Sequence, residues 1–195
     1  AYLKERGLSG EIARDFSIGY VPDGWDNFIK ASGAQCKELA AAGLVIEKDN
    51  NAGCYDRFRH RLMFPIHDQG GRMIAFGGRV LGDGTPKYLN SPETSVFHKG
   101  KELYGLFEAR RRLKKIQSII VVEGYMDVVA LAQYGVYNVV ATLGTAVTEQ
   151  HINRLFRTCN NVIFCFDGDR AGQDAAWRGM ENALPLLTGD RLLSF

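Results

Sequence analysis

The 195 residues predict an α/β fold: a parallel sheet flanked by helices, preceded by a basic α+β subdomain. Three observations carry that prediction. Two short apolar runs, Ile119–Val122 and Val162–Phe166, are rich in β-branched or aromatic residues and each leads into acids. Runs of that kind, without polar alternation, read as strands buried on both faces, as in a parallel sheet. A helix, a third strand at Asn138–Ala141 and a second helix lie between them. Such βαβ units form parallel sheets with right-handed crossovers. Charge, finally, is uneven: residues 57–115 hold 13 basic and 5 acidic side chains, whereas 1–56 hold 6 and 9, and 116–195 hold 5 and 8. A basic middle beside an acidic sheet suggests handling of a polyanion.

The first elements are helical. Ser9 suits the N-cap of a helix over Gly10–Phe16, and Val21-Pro22-Asp23-Gly24 reads as a turn. Two short helices follow at Trp25–Ala31 and Cys36–Ala42, with Trp25 and Phe28 expected in the core. Strands at Leu44–Glu47 and Cys54–Phe58 flank a turn at Lys48–Gly53. Arg57, Arg59 and Arg61 then alternate, and an extended chain would put all three on one face. Such a face suits a nucleic-acid phosphate backbone; a charge-defended edge strand is the alternative. Asp68–Gly71 turns the chain into a hairpin strand over Arg72–Val80, where Gly77-Gly78 allows a close approach and Arg79 follows. Gly82–Lys101 is a long polar loop. Within it Lys87, Tyr88 and Asn90, with Lys99 and Lys101 after them, offer charge, ring and amide, a set suited to a nucleotide. A helix over Leu106–Lys115 ends in five cations, which the helix dipole favours in any case.

The sheet proper comes next. Glu123 stands at the end of the Ile119–Val122 strand, Gly124 permits a sharp turn, and Met126–Tyr134 forms a helix closed by Gly135. Gly144-Thr145 follows the third strand and a helix opens near Thr148. Cys165 is expected inside the last buried strand, before Asp167-Gly168-Asp169. Parallel strands bring their carboxyl ends to one edge, where open α/β sheets hold ligands. Glu123, Asp167 and Asp169 are therefore expected to converge, although Glu123 taken alone also fits an ordinary surface loop. Converging carboxylates repel unless a cation neutralises them. Hard oxygen donors suit Mg²⁺ or Mn²⁺, the usual equipment for phosphoryl transfer.

Hydrophobic content of 46% and a mean hydropathy of −0.16 fit a folded domain without a membrane partner. No apolar run approaches the ~20 residues a spanning helix needs. The charged opening is no signal peptide, and the start without Met and the finish inside a strand at Leu192–Phe195 read as a piece of a longer protein. Cys36, Cys54, Cys159 and Cys165 form no C-x-x-C pair and are expected as free thiols in a reducing cytosol. The four histidines have no zinc-ligand spacing.

Several stretches together resemble the RNA polymerase core of bacterial DnaG-type primases: Tyr55–Ile66, Ala75–Val80, Thr85–Pro92, Val121–Tyr134 and Asp167–Ala171. The resemblance runs over essentially the whole chain. It implies a basic subdomain over 1–116 and a TOPRIM sheet over 117–195. It implies DNA-templated synthesis of short RNA primers by two-metal nucleotidyl transfer, with Mg²⁺ or Mn²⁺, ribonucleoside triphosphates and a single-stranded DNA template. Glu123, Asp167 and Asp169 match the family's metal ligands and Asp127 a further acid of the site. Arg57, Arg59, Arg79, Lys87, Asn90 and Lys99 match its nucleotide- or template-contacting positions. The family's zinc-binding domain, its helicase-binding C-terminal domain and its last acidic motif have no counterpart in these residues, so full activity is not expected of this piece. The bacterial cytoplasm, at the replication fork, is the expected place of work. Another TOPRIM enzyme, a topoisomerase or nuclease, and a non-catalytic nucleic-acid-binding module are the alternatives.

Overall fold

The computed structural model describes residues 2–49 and 52–195. Helices α1 (Tyr2–Glu5) and α2 (Gly10–Asp15), strand β1 (Gly19–Val21), helices α3 (Asn27–Ser32) and α4 (Cys36–Ala41) and strands β2 (Val45–Glu47) and β3 (Cys54–Asp56) come first. Strands β4 (Arg61–His67), β5 (Met73–Val80) and β6 (Tyr88–Asn90) follow, then α5 (Leu106–Arg112) and β7 (Ser118–Val122). The remainder alternates: α6 (Tyr125–Gln133), β8 (Val139–Ala141), α7 (Glu149–Phe156), β9 (Asn161–Phe164), α8 (Arg170–Ala183), a 3-10 turn and β10 (Leu192–Ser194). No helix among the described residues is long and apolar enough to cross a membrane. The chain divides into two compact units, one of residues 1–15, 67–72 and 98–195, the other of 16–66 and 73–97.

The first unit is the expected α/β sheet. Its strands lie in the order β10-β9-β7-β8, every pair parallel. Ile119, Val121, Val140, Val162 and Phe164 are buried among Leu103, Leu106, Ile152 and Leu155 from the covering segments. This explains the continuous apolar runs, since a strand covered on both faces has no polar side. Ser9 caps α2, with its Oγ accepting from Ile12 N at 3.2 Å, and Thr148 caps α7, accepting from His151 N at 3.1 Å. The cations closing α5 engage the protein itself: Arg110 donates to Gln69 and Thr158, Arg111 to the Asp15 carbonyl, and Arg112 lies over the Tyr137 ring. Cys165 lies past the end of β9 and is exposed, contrary to the buried strand position expected of it. Its N–H still donates to Val121 O at 2.8 Å, so the apolar run outlasts the strand by a single backbone bond.

The second unit holds a four-stranded sheet, β1-β4-β5-β6, and a two-stranded ribbon of β2 and β3. Strand β1 occupies part of the expected turn at Val21, pairing antiparallel with β4, and β6 forms inside the expected loop, pairing antiparallel with β5. The buried Asp56 carboxylate accepts from Phe28 N at 2.7 Å and Ile29 N at 3.2 Å, satisfying the open end of α3 from a distant strand. Cys36 and Cys54 are joined in a disulfide that ties α4 to β3, with Cα atoms 5.9 Å apart. This corrects the expectation of four free thiols; Cys159 and Cys165 are free. The turn expected at Lys48–Gly53 falls partly on Asn50 and Asn51, outside the described residues.

Candidate active site

Four acids stand at the carboxyl edge of the parallel sheet. Strand β7 ends at Val122 and β9, its neighbour, at Phe164, so Glu123 and the Asp167 turn leave the same edge. The Glu123 Oε1 accepts from Asp167 N at 2.8 Å. Asp127, in the first turn of α6, accepts from Gly124 N at 3.0 Å through Oδ2. Asp169 is the N-cap of α8 and accepts from Gly172 N at 2.8 Å through Oδ1. Three of the four carboxylates are thus each held by one backbone N–H. Partial burial pushes the Asp127 carboxyl above its ordinary range; the Gly124 N–H opposes that shift, and the Asp167 charge adds to it.

Gly172 explains how closely the edge is built. A methyl group there would fall inside the Asp167 carbonyl and 2.8 Å from Glu123 Oε1. Only a residue without a side chain lets α8 start against that turn.

Among the described residues no group of three or more His, Cys, Asp or Glu side chains is closed around a metal position. The donor set itself is oxygen only, exposed at Glu123, Asp167 and Asp169, and each carboxylate has a second oxygen beyond the bonds above. That chemistry fits Mg²⁺ or Mn²⁺.

Most of the residues expected to contact nucleotide or template lie in the second unit. Arg79 donates to the Tyr88 hydroxyl at 2.6 Å and lies over its ring, on paired positions of β5 and β6. Arg57 donates through Nε and Nη2 to Asn90 O, at 3.3 and 3.1 Å. Lys87 is exposed beside them, with its carbonyl accepting from Val80 N. Arg57, Arg79, Lys87, Tyr88 and Asn90 therefore form one cluster. Lys99 belongs to the other unit, where its carbonyl accepts from His151 Nε2 at 2.9 Å.

The expected arginine face does not exist. Residues 57–60 are not strand, and His60 takes a left-handed φ of 50°, which breaks the two-residue alternation. Arg59 folds back on the Asp56 carbonyl, with its guanidinium 4.2 Å from the Trp25 ring centre. Arg61 is buried and donates to the carbonyls of Gly78, Pro86 and Lys87, so its guanidinium is engaged by the protein's own backbone and does not share a face with Arg57 and Arg59. Burial, reinforced by the Arg59 charge, lowers the Arg61 pKa. Gly78 is the close approach anticipated at Gly77-Gly78. What approaches is Phe58 and the Arg61 stem, at 2.9 and 3.0 Å from where a Cβ would stand.

Trp25 stands outside the core expected of it. It is 64% exposed rather than core, stands edge-on to Tyr55 with ring centres 5.4 Å apart, and carries Arg59 over its face. An exposed tryptophan backed by a partly buried tyrosine and a guanidinium is a platform on which a nucleic-acid base can stack. The one hint in the sequence is that Trp25 follows directly on the Pro22-Asp23-Gly24 turn, before any helical periodicity begins.

The DNA primase catalytic core, N-terminal domain, matches residues 1–110, and the Toprim domain matches 117–191. The chain belongs to the DNA primase catalytic-core family. The DNA primase of Pseudomonas aeruginosa is 60% identical over 197 residues, which cover 100% of this chain and 30% of that protein. The crystal structure of a DNA primase domain from Pseudomonas aeruginosa superposes with a TM-score of 0.95 at 59% identity, over 98% of this chain and 61% of that one. A DnaG primase catalytic domain bound to ssDNA superposes with a TM-score of 0.93 at 56% identity, again over 98% and 61%. The chain thus spans about a third of its curated relatives' length. The parallel sheet expected of a TOPRIM fold is present.

Proposed function

We propose that this chain carries the polymerising centre of a primase, which joins ribonucleotides on a single-stranded DNA template. The observation that carries the reading is the Glu123–Asp167 bond, which sets acids from two adjacent parallel strands side by side in a member of this family. Glu123, Asp127, Asp167 and Asp169 would hold Mg²⁺ or Mn²⁺. Such an ion supplies charge neutralisation for the triphosphate and a more acidic 3′-hydroxyl. The backbone N–H bonds to Glu123, Asp127 and Asp169 orient these carboxylates beforehand, so little reorganisation is needed when substrate arrives.

In this reading Arg79, Lys87 and Lys99 neutralise nucleotide phosphates, while Tyr88 and Asn90 contact base and sugar. Arg79 is aligned for its task by the Tyr88 hydroxyl. Arg57 and Arg59 contact the template, with Trp25 stacking on a base. Backbone contact and stacking read little sequence, as priming at many sites requires. An RNA primer as product, a replicative helicase bound through a domain outside these residues, and a cytoplasmic place of work at the replication fork belong to the same proposal.

Asp167→Asn in the full-length protein tests it. Primer yield from labelled ribonucleotides is expected to fall at least ~100-fold, the scale on which electrostatic stabilisation of a transition state operates. Wild-type yield would remove Asp167 from the reaction.

A further inference from the structure

We infer that the concavity over helix α7 is a separate phosphate-binding site. It encloses about 380 Å³ and is lined by Gln69, Lys101, Gln150, Asn153, Arg154 and Arg157. All six residues belong to the unit that holds the parallel sheet. Each side chain is a hydrogen-bond donor, three are cations, and neither an acid nor an aliphatic side chain is among them. A ligand that meets three cations and three amides, with no carboxylate among them, is matched by several acceptor oxygens and negative charge, and a phosphoryl group is the common one that brings both.

A solvated helix face also collects polar side chains, but this one is braced from beneath. His151 is wholly buried in α7. Its Nδ1 accepts from Thr148 N at 3.1 Å, so the ring proton resides on Nε2, which donates to the carbonyls of Lys99 at 2.9 Å and Glu102 at 3.1 Å. Thr148 Oγ1 donates to the intervening Gly100 carbonyl at 2.6 Å. The loop bearing Lys101 is thereby fastened to α7 on both sides of that lysine.

The other lining groups are fixed in the same way. Arg154 makes a two-pronged bond with Glu102, whose side chain is 11% exposed. Gln69 accepts from Arg110 through Oε1 at 3.0 Å, which leaves its amide nitrogen to donate. Lys101, Gln150, Asn153 and Arg157 make no side-chain hydrogen bond or ion pair among the described residues. With Glu102 balancing Arg154, a net charge of +2 is left for a ligand.

The phosphate has two possible sources, a nucleic-acid backbone and a free polyphosphate such as a nucleotide tail. The test uses the full-length protein without divalent metal, so the acidic edge contributes nothing and failure of the polymerase reading would show separately. Lys101→Ala/Arg157→Ala is compared with Lys37→Ala/Arg178→Ala, which removes the same charge from exposed positions elsewhere. Fluorescence anisotropy reads binding of oligo(dT), and calorimetry reads binding of inorganic tripolyphosphate. If the ligand is a strand backbone, the first pair flattens the slope of log K against log salt by about 1.4, or ~0.7 for each of two lost contacts, and the control pair does not. If the ligand is a free polyphosphate, tripolyphosphate binding weakens at least tenfold in the first pair alone. Equal behaviour of the two pairs toward both ligands would overturn the site.

Discussion

Gly172→Ala sets two opposed effects against each other at the acidic edge. Replacing a helical glycine by alanine stabilises an ordinary helix by about 0.5–1 kcal/mol. Here the new methyl would meet the Asp167 carbonyl well inside van der Waals contact, and would lie 2.8 Å from Glu123 Oε1. The carbonyl cannot yield cheaply, because the turn is pinned by Asp167 N on Glu123 and by Asp169 capping α8. Overpacking against a fixed neighbour costs about 1–3 kcal/mol. At the middle of both ranges the clash wins, by ~1 kcal/mol. A domain of this size should then melt roughly 2–5 °C lower. Primer synthesis should fall further than stability, since relief of the clash moves Glu123 or Asp167. Gly168→Ala, where a methyl meets nothing within 4 Å, is the control and should change little. The measurements are a thermal shift and primer yield in the full-length protein. A Gly172→Ala variant with a higher midpoint and undiminished yield would refute the packing described for this edge.

Three further outcomes are expected. Arg61→Ala should lower stability by about 1–3 kcal/mol, since the Gly78, Pro86 and Lys87 carbonyls each lose a donor, Lys87 keeping Val80 N, with DNA affinity in the remaining folded protein unchanged; anisotropy against oligo(dT) beside denaturation reads both. Trp25→Ala should weaken single-stranded DNA binding by about 1–3 kcal/mol without lowering the thermal midpoint, because the ring is mostly exposed. His151 is held neutral, with burial lowering its pKa below the ordinary value of 6.5. The unfolded chain therefore binds more protons below pH ~6.5, and stability should fall as pH drops through that value toward the folded pKa, by at most about 1.4 kcal/mol per pH unit. His151→Gln should abolish this slope between pH 7 and pH 5.5; a variant that keeps the wild-type slope would place the titrating group elsewhere.

The parallel sheet was legible because its physics is local: strands covered on both faces carry unbroken apolar runs, and Ser9 and Thr148 announce the helices they cap. Convergence of Glu123 and Asp167 followed from the parallel order alone. What escaped depends on contacts between distant segments. Strands β1 and β6 are three residues long, too short for a periodic pattern, and exist because β4 and β5 offer them edges. The arginine alternation misled because a positive φ at His60, a residue with a side chain, leaves no mark in the sequence. Cys36 and Cys54 are 18 residues apart and meet only once α4 and β3 are in place. His151 showed in the sequence only as a histidine without zinc-ligand spacing; its role as a loop fastener is visible only through the carbonyls of Lys99 and Glu102.

The polymerising centre requires that Glu123 and Asp167 jointly hold a divalent cation. Calorimetric titration of Mn²⁺ into the full-length protein, beside its Glu123→Gln/Asp167→Asn variant, addresses it directly. A saturable heat in the wild type that vanishes in the variant is the predicted result, and superimposable isotherms would contradict it.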